Sequence, residues 1–155
     1  AYADMGAMLF LSSLTKTHQN RLLFQAVYAI ETPLRLGQYH VFRQNGFPRG
    51  FVTFAGLSPE AERRFALEGA PLMAEDFTSG PSFWIVDLVA PFGQIRQISK
   101  ILKKEIPHKR VRANRMDSDL SRPRIVEWTR DADDDIHMKV YRRRDFSSLL
   151  DRQGG

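Results

Sequence analysis

Asp87 is the residue least at home among its neighbours. It stands in the run Phe83-Trp84-Ile85-Val86-Asp87-Leu88-Val89, otherwise wholly apolar. A carboxylate drawn from water into such a run is costly unless it is paired. Strand alternation sets it on one face with Phe83, Ile85 and Val89. His18, in Thr15-Lys16-Thr17-His18-Gln19-Asn20-Arg21, lies where the chain enters its first long helix. Each has a plain structural reading: Asp87 as an acid satisfied by backbone amides or an arginine, His18 as a surface or capping residue. Together they offer a general base, an imidazole whose tautomer and orientation a buried carboxylate sets.

Other chemistries find less support. The chain has no cysteine, so it holds neither a disulfide framework nor a thiolate metal site nor a cysteine nucleophile. GxSxG, GxGxxG, GxxxxGKS/T and HExxH are absent, which argues against serine hydrolases, dinucleotide enzymes, P-loop NTPases and zincins. Asp131, Asp133, Asp134 and His137 match no known metal cage; a solvated acidic turn is the better reading, and no metal site is expected. His40, in a strand, and His108, in a loop after a proline, carry no partner signal.

The net charge of +5 is unevenly placed. From Arg96 to Arg115 eight basic residues face one acid, Glu105, so this window holds +7 and the remainder −2. A basic face of this kind attracts an acidic partner.

At 155 residues and 43% apolar, the chain suits a single α/β domain spanning 1–155. Leu22, Leu23, Ala26, Val27 and Ile30 recur at helical spacing from Gln19 to Ile30, and Pro33 ends the run. Gln38–Gln44 and Phe47–Ala55 read as strands joined by Asn45-Gly46, the preferred pair for a tight hairpin. Ser58-Pro59-Glu60 opens a helix that runs to about Glu68, before Gly69 and Pro71. The apolar run around Asp87 reads as a strand buried on both faces. A helix over 94–105 then packs Ile95, Ile98, Ile101 and Leu102 inward and leaves Arg96, Lys100, Lys103 and Lys104 mostly outside. Lys109–Met116 reads as a strand. Ile125–Trp128 and Ile136–Val140 read as a hairpin around the acidic turn, with a helix ended by Arg142–Arg144 as the alternative. No signal peptide or membrane span is visible.

Ala74-Glu75-Asp76-Phe77-Thr78-Ser79-Gly80, then Phe83 to Val89 and Ala90-Pro91-Phe92-Gly93, resemble the signature of the RTX-toxin-activating lysine acyltransferases, the hemolysin-activating protein C family. The likeness continues through Pro33, Gln38-Tyr39, Asn45-Gly46-Phe47-Pro48 and Val111-Arg112-Ala113-Asn114-Arg115-Met116-Asp117. It covers residues 6–128; residues 129–155 diverge, and the family's C-terminal helix is not recognisable there.

The resemblance implies a GNAT-like fold with a central mixed sheet flanked by helices, a homodimer, and a cytoplasmic enzyme without a tightly bound cofactor. The implied reaction carries a fatty acyl chain from the phosphopantetheine thioester of acyl carrier protein to internal lysines of an RTX-type protoxin. It sets the family's essential histidine and aspartate on His18 and Asp87, and a cleft arginine on Arg115. Thr15 replaces a serine and keeps its hydroxyl. Arg115, Thr15 and Trp84 fall to substrate and acyl binding, and Arg96, Lys100, Lys103 and Lys104 to docking of the carrier.

The chemistry agrees. A lysine amine must shed a proton before it attacks a thioester, and histidine is the natural acceptor; an acyl-histidine intermediate is the other role open to His18. The GNAT coenzyme A signature Arg/Gln-x-x-Gly-x-Gly/Ala is missing, which favours a protein-borne, acidic donor. Two other readings stay open: a GNAT-like acyltransferase with another target, and a nucleic-acid-binding module using the basic window. Against the latter, Phe83, Trp84 and Phe92 lie outside that window, whereas single-strand binders interleave rings with charges.

Overall fold

A computed structural model describes residues 2–15, 18, 20–116 and 123–154. Asp117 of the resemblance, and Lys16, Thr17 and Gln19 beside His18, lie outside the described residues. Along the chain come α1 (Tyr2–Ser13), α2 (Leu23–Leu36), β1 (Tyr39–Gln44), β2 (Phe47–Leu57), α3 (Pro59–Leu67), β3 (Ser82–Val89), α4 (Ile95–Glu105), β4 (Arg110–Met116), β5 (Pro123–Arg130), β6 (Ile136–Arg142) and α5 (Arg143–Gly154). The strands form one mixed sheet in sequence order. β1–β2, β4–β5 and β5–β6 are antiparallel, while β3 and β4 run parallel, as a crossover through α4 requires. This is the α/β, GNAT-like architecture expected.

The chain forms two compact units, Ala1–Phe54 with Asp87–Pro107 and Ala55–Val86 with His108–Gly155. In the first, Met8, Leu11, Ile30, Val41, Phe51 and Val89 make the core. The hairpin turns where the sequence places it: Asn45 and Gly46 both take positive φ, 52° and 82°. Gly50 is required for packing, since a Cβ there would stand 2.7 Å from the Ile98 side chain and 2.9 Å from the Val89 carbonyl. In the second unit, Leu57, Ala61, Ala66, Phe77, Trp84, Ile125 and Phe146 form the core. Ser58 caps α3 by accepting the Ala61 N–H at 3.2 Å, with Pro59 as the first helical residue.

Several expectations need correction. α2 starts at Leu23 rather than Gln19, and Pro33 lies inside it. The stop comes instead at Gly37 (φ 71°), where Gly37 N–H reaches the Leu34 carbonyl and Gln38 N–H the Pro33 carbonyl, a Schellman motif. Leu22 and Leu23 are exposed rather than inward, because only Ile30, Thr32 and Pro33 of this helix are fully buried. In α4 the buried seam is Ile98 and Leu102 alone; Ile95 and Ile101 are about half exposed. Within β3, Phe83, Val86, Asp87 and Leu88 are only partly buried. β5 and β6 pair as the expected hairpin. Arg143 and Arg144 do not end a helix but begin α5, which Phe146 and Leu150 bury. α1, with Ala7, Met8 and Leu11 buried, carries no sequence cap that announces it.

The second unit encloses a fully buried guanidinium. Arg112 of β4 donates through Nη1 to Glu62 of α3 at 2.6 Å and through Nε to Glu127 of β5 at 2.8 Å. Its Nη2 reaches Gln153 of α5 at 3.3 Å, and its plane lies 4.9 Å from the Phe146 ring. Glu62 also accepts the Trp84 indole N–H at 2.8 Å and the Ser82 hydroxyl. Removing one partner of a buried ion pair strands the others. Arg112→Met should therefore lower unfolding stability, measured in urea, by about 3–5 kcal/mol. A loss below about 1 kcal/mol would mean that the network contributes nothing to the fold.

Candidate active site

The first unit brings three of the sequence-predicted residues together. α1 ends at Ser13, and the chain then descends through successive short turns: Thr15 N–H bonds the Ser12 carbonyl, His18 N–H the Thr15 carbonyl, and Arg21 N–H the His18 carbonyl, at 3.1–3.3 Å. The same three-residue step aligns the side chains, so Thr15 Oγ1 lies 2.8 Å from His18 Nδ1. On the far side of the ring, His18 Nε2 lies 3.2 Å from Asp87 Oδ1. Both groups are largely shielded: the side chains keep 11% (His18) and 22% (Asp87) of their exposure. The imidazole and the carboxylate are thus in direct contact.

Asp87 is held by its strand. Its backbone N–H donates to Thr53 Oγ1 of β2 at 3.1 Å, and Thr53 is itself buried. Thr53 is the residue that sequence reasoning missed. It sits unremarked in a hairpin strand, and only the strand pairing reveals that its hydroxyl faces Asp87.

The proton inventory of the ring follows from its partners. A neutral His18 that donates Nε2–H to Asp87 leaves Nδ1 as an acceptor for the Thr15 hydroxyl. Once protonated, the ring donates from both nitrogens, and the Thr15 hydroxyl turns to the Ser12 carbonyl, 3.3 Å away. Every donor keeps an acceptor in both states. The arrangement can therefore take up and release one proton without stranding a polar group.

The remaining predicted residues are placed as follows. Trp84 and Arg115 belong to the second unit. Trp84 is fully buried with its indole committed to Glu62, which makes it a core residue. Arg115 is exposed near the end of β4, opposite Arg124. On α4, Arg96, Lys100 and Lys104 are exposed and Lys103 is half-buried. Among the described residues no group of three or more histidine, aspartate or glutamate side chains is arranged to hold a metal ion. Asp131 instead organises its turn: its carboxylate accepts the N–H groups of Asp133 and Asp135 and pairs with His137 at 2.8 Å. The hydrogen bond from His137, with those amides, holds the Asp131 carboxyl below the usual range. Among the described residues no helix is long and apolar enough to cross a membrane.

The chain is 29% identical over 124 residues to the RTX-I toxin-activating lysine-acyltransferase ApxIC of Actinobacillus pleuropneumoniae, covering 80% of this chain and 72% of the relative. It is 27% identical over 124 residues to the leukotoxin-activating lysine-acyltransferase LtxC of Aggregatibacter actinomycetemcomitans, covering 80% and 74%. With the protein-lysine myristoyltransferase HlyC of Escherichia coli it shares 28% identity over 113 residues, covering 73% and 66%. The sequence profile of the RTX toxin acyltransferase family matches residues 2–129, which hold Thr15, His18, Thr53 and Asp87 alike. The chain belongs to the RTX toxin acyltransferase family.

Proposed function

We propose that this chain transfers a fatty acyl group from a carrier-protein thioester to lysine side chains of an RTX-type protoxin, with His18 as general base. The observation that carries the reading is the line Thr15–His18–Asp87, an imidazole with a carboxylate behind one nitrogen and a hydroxyl before the other. Relatives named for lysine acyl transfer support the chemistry. A lysine amine titrates at about 10.4 and is nearly all ammonium at neutral pH, so attack requires a base.

With Nε2–H donated to Asp87, His18 Nδ1 serves as the base, reached through the Thr15 hydroxyl. Thr15 Oγ1 receives a proton from the lysine ammonium as its own proton passes to Nδ1. The amine nitrogen then bonds to the thioester carbon, the adduct nitrogen gives up its second proton to solvent, and the tetrahedral adduct collapses with loss of the thiolate. The imidazolium returns its proton to that sulfur. Asp87, fixed by Thr53, stabilises the imidazolium and keeps the ring oriented. Arg115 falls to substrate binding. The donor is acyl carrier protein, docked on the stripe Arg96, Lys100, Lys103 and Lys104, and the reading places the reaction in the cytoplasm, where such thioesters are made. A second copy of the chain completes it as a homodimer; Leu22, which precedes α2, and Leu23, Phe24 and Tyr28 on α2 offer an exposed apolar surface for it.

Three measurements test the reading, each by mass spectrometry of an RTX-type acceptor incubated with acyl carrier protein thioester. His18→Ala should lower the rate about 10²–10⁴-fold while leaving the thermal melt unchanged. Near wild-type acylation by that folded variant would sink the assignment. Thr15→Ser should stay close to wild type, whereas Thr15→Val, which keeps shape and removes the hydroxyl, should lower kcat. Equal rates for Ser and Val would remove Thr15 from the proton path. Finally, Lys100→Glu/Lys104→Glu should raise KM for the carrier-borne donor, flatten its salt dependence and leave kcat nearly unchanged. Tight binding of short nucleic acids combined with normal acylation by this double variant would assign the basic stripe to nucleic acid instead.

A further inference from the structure

The hairpin β1–β2 carries an irregularity. Phe42 is opposite Gly50 while Arg43 is opposite Pro48, so Arg49 is an extra residue with no partner in the register. A bulge of this type re-aims one side chain out of the regular alternation. Arg49 enters a cleft of about 390 Å³, lined also by Arg43 and Gln44 of the hairpin and by Gln94, Gln97 and Ile101 at α4. Its guanidinium lies over the Phe92 ring, 5.2 Å from the centroid, in the turn that joins β3 to α4. Its Nε–H is buried and has no hydrogen-bond partner among the described residues. A buried donor left unmade is unfavourable, and a charged one more so. Arg43 is partly neutralised by Asp4 at 2.9 Å, so the uncompensated cation of the cleft is Arg49. The first turn of α4 faces the same cleft through Gln94 and Gln97, and Gln94 makes no side-chain cap, which leaves the amides there without one.

We propose that this cleft binds a phosphate group and that Arg49 is its principal ligand. A planar guanidinium held on an aromatic ring presents paired N–H donors to phosphate oxygens. The two glutamines add neutral donors, which suit a phosphodiester that carries a single charge. In the proposed reaction this group is the phosphodiester of the pantetheine arm on acyl carrier protein; that assignment rests on the donor proposed above. The spacing is compatible: Arg49 lies four residues before Thr53 on β2, roughly 13 Å along a strand, so the arm can run from the cleft toward Asp87. Arg49 is thus a binding residue for the donor and takes no part in proton transfer.

Binding is tested directly by titrating the full chain with 4′-phosphopantetheine, pantetheine and inorganic phosphate at low salt, followed by calorimetry. The phosphorylated arm should bind at least ~10-fold more tightly than pantetheine, the scale of a charge-assisted hydrogen bond. Arg49→Gln should abolish that difference, and Arg49→Lys should restore it in part. Equal affinity for the two arms, or no effect of Arg49→Gln, overturns the site. Inorganic phosphate bound as tightly as the arm overturns the carrier assignment and makes the cleft a free-phosphate site. In the acyl-transfer assay, Arg49→Gln should raise KM ~10-fold for acyl carrier protein thioester and leave it unchanged for the phosphate-free acyl N-acetylcysteamine thioester. Equal losses with both donors overturn the phosphate role. Failure of the wild-type chain with both donors would instead refute the acyl-transfer reading, and the titration would still decide the site.

Discussion

A buried arginine organises the second unit. Arg112 is fully enclosed, and an unpaired cation there would be prohibitively costly. Its acceptors come from α3, β5 and α5, each of which must be seated before the guanidinium is satisfied. The strand register depends on it as well. Trp84 of β3 is opposite Arg112, and Arg112 is opposite Glu127, so three residues in one row across the sheet share one network. A one-residue slip would turn Arg112 to the other face and break every contact at once. Buried ion pairs add little net stability compared with apolar packing. The value of this one lies in register: it allows a single alignment of β3, β4 and β5.

Strand β3 contributes residues to both units. The same strand that gives Trp84 to the buried network gives Asp87 to His18, three residues further along. Thr53 fixes the strand a second time, from β2. Asp87 is thus held through its backbone N–H, whereas His18 lies between α1 and α2. Its imidazole presents one nitrogen to the carboxylate and the other to Thr15.

Much of the family-like signature turns out to be scaffold. In Thr78-Ser79-Gly80, Ser79 accepts the Ser58 N–H at 2.9 Å and donates to the Asp76 carbonyl at 2.7 Å. Gly80 comes so near Ser58 that a Cβ would stand 2.6 Å from its backbone. Asp76 accepts from Arg64 at 3.0 Å and from the Met73 N–H at 2.8 Å. Burial pushes the Asp76 carboxyl up, and these bonds outweigh it and leave the group below its ordinary range. In Ala90-Pro91-Phe92-Gly93, Gly93 (φ 80°) makes the turn into α4, and Phe92 backs Arg49. Long motifs of this kind mark where backbone must pass close to backbone.

What the sequence determined by itself was local or compositional. Asn45-Gly46, Ser58-Pro59 and the apolar run around Asp87 act through backbone preference and burial, which short segments already possess. The same physics singled out Asp87, because a charge in an apolar strand needs a partner. Tertiary structure alone decided the rest. Pro33 continues a helix because the chain beyond it is closed by Gly37, and Ile95 and Ile101 stay half exposed because the packing seam of α4 is only as wide as its neighbours permit. α5 forms where Phe146 and Leu150 find a core to enter, which no residue of the helix can signal alone. Thr53 under Asp87, and Arg49 swung out of register over Phe92, are contacts between segments distant in the chain; propensity has no term for such contacts, and only packing creates them.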